Sequence, residues 1–396
     1  MNKPILALFL ACLAVQAPDV QAADKADIKV MTQNQYLGAD LGPIISAQTP
    51  GEYAQAVVDA LQSIAANNFR ERAIALAESI HDRQPHLVAM QEVFAFECID
   101  VGYGACAFFE PAFNDHLDLV TAALHQFGSQ YTVAAQIQNL SIPTAAMEAS
   151  GIPGLPVFLP GIDGPAMFVS VIDRDVILAR SDVTAVPVRM ACARPGPDGI
   201  GCNYANVANV MTLAGPISIE RGHVAVDAWV RGAEYRFVNT HLEVHILGGN
   251  PLSAGLQAAQ ASELSYTLAF NPPPNPASRL ILAGDINSAP THEPIGPFVP
   301  PYHQFANGLN IFGIPDFAPM TDVWTLRPGM PGGYTCCELA DLSNAQSLHE
   351  ERIDVVYARP APSAVKANVM DAEPGDKTLS GLWPSDHASV IAELSY

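Results

Sequence analysis

The stretch LILAGDINSAPTH, Leu280 to His292, runs four apolar residues into Gly284, then Asp285, a lone Ile286, Asn287 and a Ser-Ala-Pro turn. A short apolar run closed by turn residues predicts a buried strand. Asp285 and Asn287 lie two apart, so along a strand they share one face. Gly284 before them lets another group approach the backbone closely. A carboxylate and a carboxamide at the end of a rigid strand suit a hard cation or a phosphate. Turn chemistry alone accounts for the same two residue types. Other segments of the chain weigh between the two readings.

Composition sets the outer limits. Apolar residues make up 49% of the 396 and charged residues only 15%, so the chain can bury a large core. The 33 prolines and 28 glycines fit strands joined by long loops better than a helix bundle. Against 19 basic residues stand 40 acidic ones, a net charge of −21. Such a field repels polyanions and counts against non-specific binding to DNA or RNA. A bound divalent metal would reverse the sign locally, so nucleic acid is disfavoured without being excluded.

The N-terminus reads MNKPILALFLACLAVQAPDVQAAD, with one Lys ahead of an apolar run and Val20-Gln21-Ala22 as a cleavage site. Residues 1–22 therefore read as a signal peptide, too short to span a bilayer, and the protein as secreted or periplasmic. A lipoprotein signal ending at Cys12 is the alternative, and Phe9-Leu10-Ala11 match it poorly. Six cysteines remain after cleavage, as near pairs: Cys98 with Cys106, Cys192 with Cys202, and Cys336 beside Cys337. In an oxidising compartment the first two pairs predict disulfides, while the adjacent pair is open between a vicinal bridge and free thiols. Zinc is the weaker reading, because no pair has Cys-x-x-Cys spacing.

In chain order, Asp27–Met31 predicts a strand leading to Asn34, a turn former or a neutral oxygen ligand. Helical pattern covers about 52–82, with Ala73, Leu76, Ala77 and Ile80 on one face and Arg70, Glu71, Arg72 and Glu78 mostly off it as a solvated face. Leu87–Met90 predicts a buried strand ending in Gln91-Glu92, and a carboxylate there needs a metal or an Arg as partner. Residues 93–118 read as a disulfide-pinned loop. Residues 141–168 form a Pro/Gly-punctuated apolar insertion, which either packs over the core or makes a lip for peripheral contact with lipid or an apolar substrate tail. Val169–Ala179 reads as strands about a turn at Asp173-Arg174-Asp175. His223–Val230 and Tyr235–Asn239 alternate as antiparallel strands, and His241 follows, either structural or functional. A helix over Ala254–Phe270, a short strand near Asp322–Thr325, a strand opened by Asp354 and a last strand after Asp386-His387 complete the pattern.

Asn34, Glu92, His241, Asp285, Asn287, Asp354, Asp386 and His387 thus all lie at strand ends or beside them. That many polar residues closing apolar strands suggests one crevice, with oxygen ligands for a hard cation and two imidazoles for proton work. The ordered motifs TQN, QE, NTHLE, GDINS, RID and SDH resemble those of the endonuclease/exonuclease/phosphatase superfamily from about Ile28 to the C-terminus. This superfamily includes secreted deoxyribonucleases and neutral sphingomyelinases. The resemblance implies a four-layer α/β sandwich, two mixed β-sheets face to face with helices outside. It also implies a single catalytic domain over 27–396, with loop insertions near 93–118, 141–168 and 289–335.

The resemblance further implies roles. Glu92 is the main Mg²⁺ ligand (Mn²⁺ or Ca²⁺ being alternatives), with Asn34 and Asp386 beside the metal. Asp285 and Asn287 orient the attacking water and a phosphoryl oxygen, His241 donates to the phosphate, and Asp354 holds His387 in a dyad. A small or lipid-linked phosphodiester, sphingomyelin-like, is the substrate expected first, a nucleic acid second. A non-catalytic binding module is a third reading, disfavoured because all eight positions are filled. Two measurements check the export reading: the mature chain should begin at Ala23, and non-reduced peptide mapping should recover Cys98 linked to Cys106 and Cys192 to Cys202, whereas free thiols at either pair would refute it.

Overall fold

The computed structural model describes residues 27–212, 215–245, 252–309, 317–329 and 332–396. The leader read at residues 1–22 lies outside them. Two eight-stranded mixed sheets face each other. In the first, the strand Asp27–Asn34 lies parallel to Leu87–Gln91 and antiparallel to Ser389–Ser395. Met167–Arg180 continues that sheet beyond Leu87–Gln91. In the second, Ala233–His241 lies parallel to Arg279–Asp285, flanked by the antiparallel strands Gly222–Val230 and Asp354–Arg359. Each sheet thus carries one central parallel pair.

Side-chain alternation explains the layering. Ile28, Val30, Leu87, Ala89 and Ile177 from the first sheet meet Val224, Val226, Phe237, Ile281 and Val356 from the second in one dry core. The intervening residues point outward. Met31, Val88, Met90 and Leu178 pack against Phe69, Leu76 and Ile80 of the helix Phe69–Arg83 and Val120 of the helix His116–Gln126. Val238, Leu282 and Tyr357 pack against Leu264 and Leu268 of the helix Ser253–Phe270. The result is helix, sheet, sheet, helix: the α/β sandwich that the motif order implied. Among the described residues no helix is long and apolar enough to cross a membrane.

Several local expectations are corrected. The helical pattern of 52–82 breaks into Pro50–Ala66 and Phe69–Arg83, because Asn68 takes a left-handed conformation (φ 40°). Arg72 is 1% exposed and is no part of a solvated face. Its position, three after Phe69 and four before Leu76, places it on the buried stripe. The Asp173-Arg174-Asp175 turn does not exist: Met167–Arg180 is one continuous strand. Asp173 and Asp175 face inward, while Arg174 pairs with Asp115 at 2.6 Å on the other side, so tertiary pairing overrides turn propensity. The 93–118 loop contains the strand Ala95–Asp100, and Thr321–Asp322 pairs with the next strand before a 3₁₀ turn replaces the rest. Within 141–168, Val157 and Ala166 are buried, and Ile152 and Phe158 are exposed.

The paired cysteines meet as expected, with Cα atoms 5.8 Å apart for Cys98–Cys106 and 6.4 Å for Cys192–Cys202. Cys336 and Cys337 are also joined to each other.

The Arg279–Asp285 strand passes so close to Ala233–His241 that a Cβ at Gly284 would collide with the Thr240 carbonyl, and Gly284 has φ 153°. Gly284→Ala should therefore destabilise the fold by roughly 3 kcal/mol, read as a lowered denaturant midpoint at unchanged slope.

Candidate active site

The two parallel pairs end on the same side of the sandwich, and the candidate residues collect there. Register does the placing: His241 sits beside Asp285, and Asp285 sits opposite Asp354. Asn34 ends the parallel partner strand of the first sheet, one residue from the level of Glu92. Below the crevice Gln91 donates to Asn239 Oδ1 at 2.6 Å, and Asn239 donates to the carbonyls of Met90 and Val176 at 2.9 Å. This buried amide network joins the two sheets directly under the site.

Asn34 spans the crevice. Its Nδ2 donates to Asp285 Oδ2 at 3.1 Å and to Glu92 Oε1 at 3.4 Å. Its oxygen accepts the Tyr36 N–H at 2.9 Å, so Asn34 stands beside Glu92 as a bridging donor rather than presenting an oxygen inward. The other Glu92 oxygen accepts the Leu37 N–H at 3.0 Å. Ser385 ties the C-terminal loop to this strand through the Asn34 carbonyl at 2.8 Å and accepts the His387 N–H at 3.2 Å.

His387 Nδ1 lies 2.8 Å from Asp354 Oδ2, which is the expected dyad. Its Nε2 lies 3.8 Å from Asp285 Oδ2. Burial disfavours charge on this ring, but Asp354, Asp386 and Asp285 together outweigh it and hold the imidazole well above its ordinary value. His241 is the opposite case. Burial, Arg221 and His387 keep it well below the ordinary value. Arg221 Nη1 lies 3.0 Å from His241 Nδ1. A guanidinium only donates, so Nδ1 accepts; Nε2 lies 3.5 Å from Asp285 Oδ2 and 3.3 Å from the Asn287 amide nitrogen. Asp285, 1% exposed, is pushed up to about 7 by burial and by Asp354, against the pull of His387, Asn287 and Asn34. Asn287 donates its backbone N–H to Asp285 Oδ1 and its side chain to the Leu242 carbonyl, both at 2.8 Å. Asp386 is also pushed up to about 7, by burial first and then by Glu92, with His387 and Arg72 opposing.

All eight predicted residues therefore lie in one neighbourhood, Asp386 and Glu92 on the wall of one cavity. Two residues outside that set complete the site. Arg221 orients His241 and lies 3.7 Å from Glu243. Arg72 donates to the carbonyls of Gln35, Tyr36 and Pro384 at 2.8 to 3.0 Å, pinning both loops that carry Asn34 and Asp386. Arg72 stood on the apolar helical stripe, a signal visible in the sequence. Arg221 precedes the strand Gly222–Val230 with no marker of its own.

The donor set fits a hard divalent cation. Oxygens dominate it, and ligand atoms of Asp285, Asp354 and His387 lie within 4.8 Å of one another. Among the described residues, the buried Asp354 Oδ1 has no hydrogen-bond partner. So much uncompensated buried carboxylate calls for positive charge.

No family profile and no curated protein matches the chain. It is similar to solved structures of endonuclease/exonuclease/phosphatase proteins. A humanized D. rerio TDP2 carrying 14 mutations shares 14% identity at TM-score 0.48, over 94% of this chain and 100% of that one. An endonuclease/exonuclease/phosphatase family protein from Leptotrichia buccalis shares 13% at 0.48, over 93% and 100%. D. rerio TDP2 complexed with single strand DNA product shares 13% at 0.46, over 93% and 98%.

Adding magnesium or manganese should raise the melting temperature, reversibly with chelator, by an amount equivalent to about 2.7 kcal/mol at a hundredfold excess over Kd. Glu92→Gln and Asp386→Asn should each shrink that gain. An unchanged melting curve in the wild type would refute the metal centre.

Proposed function

We propose that this chain is a metal-dependent hydrolase of phosphoester bonds, a phosphodiesterase on a small or lipid-linked substrate. The observation that carries the reading is Asp285 Oδ2 held between two imidazoles, His241 Nε2 at 3.5 Å and His387 Nε2 at 3.8 Å, with Asp354 behind His387. Glu92 and Asp386, with Asp285 and Asp354 close by, are the residues that would hold the cation. When bound, such an ion neutralises phosphoryl charge and lowers the pKa of a bound water.

The chain's own residues supply the rest. Asp285, poised near neutrality, accepts the proton of the attacking water while Asn287 and Asn34 fix its carboxylate. His241 Nε2–H and the His387 imidazolium aim donors at the phosphoryl oxygens as negative charge grows there. Asp354 keeps His387 charged and in one orientation. Arg221 fixes the His241 tautomer without touching the reacting atoms.

Charge supports a small or lipid-linked substrate over a nucleic acid, since the net −21 works against any polyanion. Export to the periplasm or outside the cell is part of the proposal, supported by the leader and the paired cysteines. Peripheral contact of 141–168 with lipid would fall to Ile152 and Phe158, its exposed large side chains.

Turnover of sphingomyelin, bis-nitrophenyl phosphate and plasmid DNA, each with Mg²⁺ and with chelator, tests the substrate order. The first two should be cleaved and the third spared. His387→Ala should lower turnover by roughly 10²- to 10⁴-fold with an unchanged melting profile. Undiminished turnover would remove the dyad.

A further inference from the structure

The cavity of about 790 Å³ that holds Glu92 and Asp386 extends beyond them along an apolar wall that the chemistry above does not use. Its wall is largely apolar, with Tyr53, Phe94 and Phe96 among the aliphatic side chains. Val57, Ala60 and Ile64 come from the helix Pro50–Ala66, Val171 from the strand Met167–Arg180, and Val210 and Ile217 from the hairpin Ala208–Thr212/Gly215–Ile219. Its polar end holds Glu92, Asp173, Arg221 and Asp386, the side chains of the proposed reaction centre and their neighbours. Interiors pack densely, and a void of this size forgoes the contacts that filling it would bring. Its volume and apolar lining with a few convergent polar groups are those of a ligand pocket.

The lining also selects the ligand. Arg221 is the only basic side chain on the wall among the described residues. A nucleic-acid strand carries one charge per phosphate and would meet carboxylates at Asp40, Glu220 and Glu338 instead. An alkyl chain needs no hydrogen-bonding partner and gains from every methylene withdrawn from water. We infer that the cavity receives an apolar chain of a lipid-linked phosphodiester, whose phosphate lies at the Glu92–Asp386 end. This rests on the hydrolase reading above for the position of the phosphate, and deepens it by placing the chain inside the fold, in a cavity to which Ile142 and Leu155 of the 141–168 segment contribute.

The test uses the full chain with magnesium and two series of increasing length, both kept monomeric. One is methyl, butyl, octyl and dodecyl 4-nitrophenyl phosphodiesters, followed by nitrophenol release. The other is alkylphosphonates, whose C–P bond this chemistry does not cleave, followed by calorimetry. Both kcat/KM and affinity should rise about fourfold per methylene until the cavity is full. Ala60→Phe and Val210→Trp, on separate elements, should each flatten both series. A flat wild-type series with the methyl ester still cleaved overturns the cavity assignment and leaves the hydrolase standing. Rising phosphonate affinity with no ester cleaved does the reverse. Folded variants that keep the wild-type slope also overturn the assignment, and the wild-type slope decides the matter even if a variant fails to fold.

Discussion

The structure depends on one electrostatic constraint: Glu92, Asp285, Asp354 and Asp386 converge at one end of the sandwich, and Asp285 and Asp354 are each only 1% exposed. Carboxylates so placed repel one another through a poorly polarisable medium, so the site holds together only with positive charge and donors among them. His387 supplies one charge, and the Asn34 amide bridges Glu92 to Asp285. The remaining imbalance, visible in the orphaned Asp354 oxygen, is one that a divalent cation would relieve.

The fold serves that constraint through backbone geometry. Two sheets, each with one central parallel pair, direct four strand ends toward the same opening, where open α/β sheets place their ligands. The chain then leaves regular structure abruptly. Tyr36, Glu92 and Asn287 all take left-handed conformations, with φ between 49° and 57°. These are uncommon for residues other than glycine, and a Glu held there indicates that packing and hydrogen bonds over-determine the position. Arg72 and the Gln91–Asn239 network provide that support, one from the helix layer and one from between the sheets.

The same layering places an apolar cavity beside the polar crevice. The crevice lies at the strand ends, and the cavity extends from it between the helix Pro50–Ala66, the first sheet and the strands Ala208–Thr212 and Gly215–Ile219. Arg221 stands where the two meet, against His241 on one side and on the cavity wall on the other.

How much of this was legible beforehand follows from the range of each interaction. Apolar runs of period two announced the core strands, and their polar terminators named eight candidate residues that the fold brings together, because strand periodicity and strand ends are local properties. The order of those terminators carried the family resemblance and hence the sandwich. Arg72 reads as solvated by residue type, although its helical spacing to Phe69 and Leu76 places it on the buried stripe. The Asp173–Asp175 segment reads as a turn because turn propensity is local, whereas a continuous strand there is stabilised by pairing with residues 87–90 and 131–142. Which imidazole is charged, which atom of Asn34 faces inward, that Arg221 meets His241, and that a cavity adjoins the crevice were decided only by tertiary structure. Each depends on distances between groups far apart in the chain, and no local pattern encodes such a distance.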